Sequence, residues 1–338
     1  MKTLKPFLYL LVVFAIVLSA CNKDVHKIGE DENLNVQAKN MEDLVIPANF
    51  DWRIPMNSTN TLKDIGGDSY YPNSYATLVF EDLWPAKGDY DFNDLVLSYQ
   101  FRTATNASNF ITEIVGTFIF RATGAGTDNG FGFELTGLDT TGFVVTGNSV
   151  IAGYTTTTRG WENGQSNPVI IVVDDISNIL PRYSNNTQYG QGNSVFTPAV
   201  TMEIHITPRP GVNKNPANFL INGTNFNPFL IADFINDGRG REVHKVNFQP
   251  TDLADYSLFM TADDYSQPLL NSTYKTSKNY PWVLEIPGIF KYPRERIDIN
   301  WAYLHFGAWA ESGGTLYSDW YSNLASGYRF VGNLYQAP

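Results

Sequence analysis

The sequence has almost no cysteine and few charged side chains. Cys21 is the only cysteine in 338 residues, so the fold gains no stability from intrachain disulfides. Charged residues make up 17% of the chain, whereas Tyr and Phe number 19 and 22. Because aromatic residues favour strands, this balance predicts β-structure rather than long charged helices.

Basic residues are scarce as well, and no basic run occurs. The chain has 23 Lys and Arg against 34 Asp and Glu, a formal net charge of -11. Phosphate binding needs concentrated Lys and Arg, so we expect no nucleic-acid partner, whereas divalent cations are compatible with this charge. A hydrophobic content of 43% excludes a disordered polymer, and a mean hydropathy of -0.21 excludes a polytopic membrane protein.

Signatures of several enzyme classes are also missing. The chain contains no HExxH metalloprotease motif and no G-x-S-x-G nucleophile elbow. The glycine-rich stretch from Gly124 departs from the G-x-G-x-x-G spacing of dinucleotide sites, so it indicates a close turn between strands. A glycosidase needs only two carboxylates, which the sequence leaves open. We therefore expect a protein without enzymatic activity.

The N-terminus has the pattern of a lipoprotein signal peptide. Lys2 and Lys5 precede an apolar stretch over residues 6–17, which is too short for a comfortable membrane span. The Leu-Ser-Ala-Cys string that follows resembles the lipobox of bacterial lipoproteins, which implies cleavage before Cys21 and lipidation of its thiol. The alternative is an ordinary signal peptide cleaved at Ala20. The lipobox predicts an outer-membrane lipid partner bound through Cys21, with the cell surface as one location.

Composition divides the chain into three parts. Residues 1–20 form the predicted signal peptide. Residues 21–46 lack aromatic side chains and are rich in acids, which predicts a flexible tether between the lipid and the folded part. Residues 47–338 contain no second linker, so we expect one folded domain, built as a single unit or as two closely packed halves.

The folded part is dominated by short apolar runs bounded by Gly, Asn, Asp and Pro. In the run from Phe110, alternation places Ile114, Phe118 and Phe120 on one face, as expected for a half-buried strand. Strands of this length predict a mainly β fold, an antiparallel β-sandwich or jelly roll. The predicted strands are Ala76–Phe80, Leu95–Phe101, Phe110–Arg121, Phe131–Leu135, Val169–Val173, Val200–Ile206, Phe219–Ile221 and Trp282–Ile286.

One short helix is predicted near the C-terminus. Asp298 or Asn300 would cap it, and apolar residues recur at helical spacing over residues 302–310. Gly313 and Gly314 would end it. Its apolar stripe predicts packing against a sheet.

The segment from Glu81 to Gln100 carries the strongest chemical pattern. Aspartates and Asn93 alternate with Tyr90 and Phe92, so in an extended segment the oxygens face one way and the rings the other. Carboxylates so close together repel one another unless a cation neutralises them, and Ca²⁺ takes roughly six to eight oxygen ligands. We therefore predict Ca²⁺ as a cofactor. The predicted metal ligands are Asp89, Asp91, Asn93, Asp94, Asp82 and Glu81.

The spacing matches only part of a known calcium loop. Asp89, Asp91 and Asn93 correspond to the first, third and fifth positions of an EF-hand loop. Asp94 stands where that loop needs a glycine, and Gln100 stands where it needs a bidentate glutamate. The alternative is a solvated acidic turn in which Asp and Asn side chains accept local hydrogen bonds.

A second polar cluster spans residues 236–244. If this segment is a ligand loop, its arginines would hold a carboxylate in bidentate geometry. We favour a structural interpretation, in which Arg239 or Arg241 pairs with the acids of the first cluster. Trp161 lies in a polar run and is the best candidate for an exposed ring that contacts a ligand. The candidate ligand-binding residues are Asp237, Arg239, Arg241, Glu242 and Trp161.

Several motifs occur in an order that resembles a known family. They are WPAKGDYDFNDLVLSY (84–99), NGFGFEL (129–135), FINDGRGREVH (234–244), PTDLAD (250–255), PWVLEIP (281–287), FKYPRERIDI (290–299) and WAESGGTLYSDWY (309–321). Together they resemble the LruC-domain lipoprotein family of Bacteroidota and spirochaetes. The DYDFNDLV segment is also similar to calcium-binding domains of bacterial adhesins. The resemblance implies an exported, largely β, Ca²⁺-dependent envelope protein without a defined activity.

These features predict a cell-envelope lipoprotein with a Ca²⁺-stabilised β-sandwich. We expect it to bind an extracellular ligand, either a glycan, a matrix component or a neighbouring envelope protein, in an adhesion-like and non-catalytic role. One alternative is a glycan-cleaving hydrolase that uses a carboxylate pair. Another is a fimbria-like structural subunit that polymerises by a donated strand.

Overall fold

A computed structural model of the chain describes residues 67–147, 157–158, 160–186, 196–216 and 218–336. The predicted signal peptide, Cys21 and the predicted tether lie outside the described residues.

The described residues form twelve strands, seven of which overlap the predicted short apolar runs. The strands are β1 (Asp68–Phe80), β2 (Leu95–Thr105), β3 (Ile111–Ala122), β4 (Gly130–Leu135), β5 (Phe143–Gly147), β6 (Thr157–Thr158), β7 (Trp161–Glu162), β8 (Val169–Val173), β9 (Val200–Pro208), β10 (Phe226–Ile231), β11 (Glu242–His244) and β12 (Val283–Pro287).

Most of these strands build two antiparallel sheets. One sheet has six strands in the order β12-β1-β2-β3-β9-β5, and the other has four in the order β11-β10-β4-β8. The short strands β6 and β7 pair separately. Every neighbouring pair is antiparallel. The predicted mainly β, sandwich-like fold is therefore confirmed.

The core between the two sheets is rich in phenylalanine. Phe118 of β3 contacts Phe131 and Phe133 of β4, with ring centroids 5.5 and 5.2 Å apart. Phe101 of β2 packs edge-on against Phe226 of β10 at 4.9 Å. Such pairs contribute about 0.5–1.5 kcal/mol each beyond the area that they bury. The alternation read in β3 thus places its rings between the sheets.

A second hydrophobic cluster covers the outer face of the six-stranded sheet. Val79, Val96 and Ala122 point to this face and are buried under residues of the C-terminal segment, Trp320 among them. Tyr90, from the acidic segment, belongs to the same cluster. The acidic segment is therefore anchored on the six-stranded sheet by its aromatic residues.

The predicted C-terminal helix is present but divided in two. Tyr303 leaves the helical conformation, with φ -122° and ψ 95°, and forms an isolated β-bridge with Arg329. Asp298 caps the first part by accepting a hydrogen bond from the Asn300 amide at 2.8 Å. The helices within the described residues are α1 (Phe234–Asp237), α2 (Ile299–Ala302) and α3 (Phe306–Glu311), with 3₁₀ turns at Ile176–Asn178, Tyr256–Leu258, Pro268–Leu270 and Val331–Asn333.

No helix in the described ranges combines the length and the apolar character that crossing a membrane requires.

The strand predicted at Phe219–Ile221 is wrong. Phe219 and Ile221 are buried and Leu220 is half-buried, but all three lie in a loop, and the strand begins at Phe226. The Asn225 side chain donates a hydrogen bond to the Leu220 carbonyl at 2.9 Å. In a sheet, the backbone amide of a neighbouring strand would have been the donor to this carbonyl. The apolar run reflected burial rather than pairing in a sheet.

Candidate functional site

The acidic segment forms a tight turn rather than the extended segment expected from its alternation. Gly88, Tyr90 and Phe92 all adopt left-handed backbone angles, with φ of 69°, 59° and 53°. Non-glycine residues rarely adopt this conformation, so the packing of the two rings must hold the turn in place. Tyr90 and Phe92 contact each other in the second hydrophobic cluster, with centroids 5.5 Å apart. The rings and the carboxylates thus point to different sides, as predicted, but through left-handed turn residues rather than through an extended segment.

Glu81 lies at the centre of this turn, directly after β1. Its Oε1 accepts a hydrogen bond from the Phe92 amide at 2.6 Å. Its Oε2 is buried and has no hydrogen-bond partner among the described residues. Carboxylate oxygens of Glu81, Asp89 and Asp91 lie within 4.8 Å of one another. A buried acceptor without a partner is costly, so Oε2 is the atom in this turn that most needs a ligand.

Asp91 and Asn93 fix the turn to more distant segments. Asp91 accepts hydrogen bonds from the amides of Asn93 at 3.2 Å and Arg296 at 2.7 Å. The Asn93 side-chain amide donates to the Pro293 carbonyl at 3.3 Å. Its Oδ1 is a second buried acceptor that lacks a partner within the described part of the chain. Gly124 packs on this oxygen, where a Cβ atom would collide with it.

Asp82 and Asp94 are held by hydrogen bonds beside the turn. Asp94 Oδ2 accepts from the Asp82 amide at 2.8 Å. Asp82 Oδ2 accepts from the Asn129 side chain at 2.9 Å and from the Thr127 hydroxyl. The structure therefore places all six predicted metal ligands in one region, but it brings carboxylate oxygens of only Glu81, Asp89 and Asp91 close together.

A cavity of about 240 Å³ opens beside these residues. Three of the predicted ligands line it, together with Glu295 and Arg296, which the sequence did not single out. Glu295 lies some 200 residues from the turn, and only the fold brings it here. The lining residues are Asp82, Leu83, Asp89, Asp94, Gly124, Gly126, Thr127, Tyr183, Glu295 and Arg296. We call Glu81, Asp82, Asp89, Asp91, Asp94 and Glu295 the acidic cluster.

Burial and neighbouring carboxylates of the acidic cluster raise the pKa of Glu81, Asp91 and Asp94. Burial, with the charges of Asp91 and Asp89, raises the pKa of Glu81 well above its usual range. Burial and the charge of Asp89 do the same to the pKa of Asp91. Burial and the charges of Asp82 and Glu81 raise the pKa of Asp94. Each pKa shift records that the ionised form is poorly compensated in the folded protein.

Glu295 shows the same effect on the far wall of the cavity. Burial and the charge of Asp89 raise the pKa of Glu295 to about 7, although the Arg296 charge acts in the opposite direction. Within the described residues, no Lys or Arg lies at ion-pair distance from any carboxylate of the acidic cluster. The protein thus concentrates negative charge here, and the one positive side chain among the described lining residues, Arg296, lies beyond ion-pair distance.

The second polar cluster has the opposite character. Arg239 donates two hydrogen bonds to the Glu162 carboxylate, at 2.6 and 2.7 Å, and a third to Glu242. His244 and Thr251 also bond to Glu242. Burial alone would raise the pKa of Glu242, but Arg239, His244 and Thr251 lower it to about 2. We call these five residues the arginine cluster.

The contacts of the second cluster agree only in part with the structural interpretation, in which Arg239 or Arg241 pairs with the acids of the first cluster. Arg239 pairs with Glu162 and Glu242 rather than with the acidic cluster. Arg241 does reach the first loop, but it donates to the backbone carbonyls of Trp84 at 2.7 Å and Asp82 at 3.0 Å. Its third bond goes to Asp237 at 2.6 Å. The two guanidinium groups thus tie loops together.

The expectation that Trp161 exposes its ring is wrong. The side chain is only 8% exposed and belongs to the main core cluster. Its indole nitrogen donates to the Phe143 carbonyl at 3.4 Å. The polar neighbours of Trp161 in sequence did not indicate this burial, because the ring packs against residues that are distant in sequence.

The chain matches a family model and is similar in fold to a solved structure. A family model described as "Domain of unknown function (DUF4842)" matches residues 109–321. None of the curated proteins matches the chain. A crystal structure of a Bacteroides ovatus protein, provisionally named as a lipoprotein, is 19% identical, with a TM-score of 0.53 over 78% of this chain and 76% of that chain. At this identity the likeness concerns the fold alone.

Proposed function

Because the chain belongs to the DUF4842 family, whose description assigns no activity, we propose its function from the acidic cluster. The protein is a cell-envelope lipoprotein whose β-sandwich is stabilised by Ca²⁺ and binds an extracellular ligand without catalysis.

The observation that carries the cation is the unpartnered Glu81 Oε2. It is fully buried, its carboxylate lies close to those of Asp89 and Asp91, and it has no donor among the described residues. A positive ion at this point would supply the missing partner. It would also relieve the repulsion that raises the pKa of the neighbouring acids.

The donor set favours Ca²⁺ over other ions. Glu81, Asp89 and Asp91 offer only carboxylate oxygens. These are hard ligands, and Ca²⁺ binds roughly six to eight oxygens. Zn²⁺ prefers nitrogen and sulfur ligands. Mg²⁺ demands near-ideal octahedral geometry and keeps several waters, which suits a fixed turn of three carboxylates less well.

The envelope location rests on the N-terminal pattern. The lipobox that ends at Cys21 supports an outer-membrane lipid anchor, and the acidic residues 22–46 support a tether that carries the domain away from the membrane. The lipoprotein name of the Bacteroides ovatus protein of similar fold is compatible with this location. The resemblance to LruC-domain lipoproteins stays a prediction.

The cation is tested by thermal unfolding with Ca²⁺ and with EGTA. A ligand that binds only the folded state at 100 times its Kd adds about 2.7 kcal/mol, so we expect Ca²⁺ to raise Tm by about 5–10 °C. The rise should vanish in the double variant Asp89→Ala/Asp91→Ala. Asp139→Ala/Asp255→Ala removes the same charge from exposed positions outside the cavity and should keep the rise. Equal Tm in Ca²⁺ and EGTA for the unaltered protein contradicts the proposal.

The anchor is tested by mass spectrometry of protein extracted from membranes. We expect an acylated Cys21 as the first residue, and we expect Cys21→Ser to leave the membrane fraction. Protein cleaved after Ala20 without acylation would support the ordinary signal peptide instead. Reducing sugar released from a polysaccharide would favour the hydrolase, and polymers in solution would favour the fimbria-like subunit.

A further inference from the structure

The cavity beside the acidic cluster adjoins the proposed cation site at Asp89. Of the three carboxylates that converge, Asp89 lines the cavity, whereas Glu81 and Asp91 do not. Three converging carboxylates leave several of the roughly six to eight positions of Ca²⁺ unfilled. Because Asp89 borders the adjoining space of about 240 Å³, a ligand in that space would reach these positions beside Asp89.

The chemistry of the cavity walls restricts what can fill these positions. Asp94 uses one oxygen, Oδ2, for the Asp82 amide, and no further bond of its carboxylate is found in the described ranges. Glu295 accepts from the Asn186 side chain at 2.9 Å through Oε2. A bound cation keeps these carboxylates ionised, and ionised carboxylates only accept hydrogen bonds. A ligand in this cavity must therefore offer oxygens to the cation and donate hydrogen bonds to the walls.

Charge removes most ligand classes that could meet both demands. Carboxylates, sulfates and phosphates would bind the cation, but they would meet the like charges of Asp82, Asp94 and Glu295, which outnumber the single guanidinium of the lining, Arg296. Amines and guanidinium groups would donate to the walls, but they cannot ligate Ca²⁺ and would compete with it. A neutral hydroxyl does both, because its oxygen has lone pairs for the cation and its hydrogen suits a carboxylate.

The size and the remaining walls point to a single sugar residue. The cavity is smaller than the roughly 300–1,000 Å³ of pockets that enclose drug-sized ligands. Tyr183, half-buried, and Leu83, exposed, line it beside the acids. They offer apolar surface to the C–H groups of a sugar ring, next to polar groups that fix its hydroxyls.

We propose that the cavity binds a neutral sugar residue, with two adjacent hydroxyls on the cation and donated hydrogen bonds to Asp94 and Glu295. The inference rests on the proposed function, since it needs the cation, and it adds the ligand class that this function leaves open. Glycans with an accessible neutral residue are then the partners of the domain, and acidic glycans are rejected.

The test measures sugar binding and cation binding separately on the same protein. Methyl glycosides of mannose, galactose, glucose and fucose serve as probes in saturation-transfer NMR and calorimetry, with Ca²⁺ or with EGTA. We expect at least one to bind only with Ca²⁺, and methyl glucuronide to bind about tenfold more weakly than methyl glucoside. Tyr183→Ala should weaken sugar binding about three- to tenfold while the Ca²⁺-induced rise in Tm persists.

Each failure has its own meaning. A Ca²⁺-induced rise in Tm without binding of any glycoside overturns the sugar site and leaves the proposed cation. Binding that persists in EGTA, or that favours the glucuronide, overturns the role of the cation in recognition. Binding of lysine amide in place of the glycosides would show that the cavity takes a cationic side chain. Equal Tm in Ca²⁺ and EGTA overturns the proposed cation and the sugar site together.

Discussion

The acidic cluster and the arginine cluster contain similar residue types and have opposite electrostatics. In the arginine cluster, Arg239 holds Glu162 and Glu242 by hydrogen bonds, and the pKa of Glu242 falls to about 2. In the acidic cluster, the pKa of Glu81 rises well above its usual range, and its Oε2 has no partner among the described residues. One cluster contains its own counter-charge, and the other lacks a matching one, which is the basis for the proposed cation.

The difference teaches how to separate a structural cluster from a binding site. Burial alone does not distinguish them, because Glu81 and Glu242 are both fully buried. The distinction lies in whether each oxygen has a donor. Four comparisons test it, from the largest expected effect on stability to the smallest.

Arg239→Met should be the most damaging change. It leaves the carboxylates of Glu162 and Glu242 buried without their cation, so the free energy of unfolding should fall by about 3–5 kcal/mol. Denaturant unfolding measures it, in EGTA and in Ca²⁺ alike, because the proposed cation binds elsewhere. Arg102→Met is the control, since it removes a more exposed ion pair and should cost no more than about 1 kcal/mol. A loss for Arg239→Met as small as that of the control would contradict the assigned pairing.

Replacing glutamate by glutamine should have opposite signs in the two clusters. Glu242→Gln weakens charged hydrogen bonds and should destabilise the protein by about 1–3 kcal/mol. Glu81→Gln removes a poorly compensated charge, so in EGTA it should be neutral or stabilise by about 1 kcal/mol. In Ca²⁺ the same variant should be less stable than the unaltered protein. A large loss for Glu81→Gln in EGTA would show that Glu81 is already compensated without an ion.

In EGTA, the stability of the folded protein should first rise and then fall as the pH is lowered. The folded-state pKa of Glu295, about 7, lies above its usual 4.5, so the folded protein takes up a proton first and gains stability as pH falls from about 8 towards 5. The folded-state pKa of Glu242, about 2, lies below 4.5, so its stabilisation is complete above 4.5 and is lost as pH falls towards 2.

Calcium should remove the first of these two effects. A bound ion keeps the carboxylates ionised and competes with protons, so the gain between about pH 8 and 5 should disappear, and the curves with and without Ca²⁺ should converge in acid. Tm measured against pH in both buffers gives the comparison. Parallel curves across that range would show that the acidic cluster does not take up the ion.

Two glycines offer the smallest and most local comparison. Gly88 and Gly238 both have positive φ, 69° and 75°, so alanine at either should cost about 1 kcal/mol. A Cβ at Gly88 would lie 2.8 Å from Glu81 Oε2, whereas a Cβ at Gly238 meets nothing within 4 Å. We therefore expect only Gly88→Ala to weaken Ca²⁺ binding in calorimetry. Equal Ca²⁺ affinity in both variants would place the ion away from Glu81 Oε2.

The sequence could predict the parts of this molecule that depend on local pattern. Alternation in β3 follows from the pleat of a strand, and the run of aspartates after β1 marks the acidic turn without any structural information. The split between α2 and α3 could not be predicted, because Tyr303 leaves the helix to pair with Arg329, which lies far along the chain.

Contacts between residues distant in sequence explain why the sequence did not predict the positions of Glu295 and Trp161 or the partners of the two arginines. Glu295 has no local feature that ties it to Asp89, and only the packing of the C-terminal segment brings it to the cavity. Arg239 and Arg241 look alike in sequence, yet one is paired to carboxylates and the other to backbone carbonyls. Trp161 is buried despite its polar neighbours, because its partner Phe143 belongs to another strand.

The most direct test of the acidic cluster is a crystal structure of the protein grown with Ca²⁺. We predict one ion bound by Glu81 Oε2, Asp89 and Asp91 at about 2.3–2.6 Å, with its remaining ligands on the cavity side. Anomalous scattering identifies the ion. A structure with Ca²⁺ in the crystallisation solution, but with Glu81 Oε2 bonded to a water and no ion between these three carboxylates, would contradict the account.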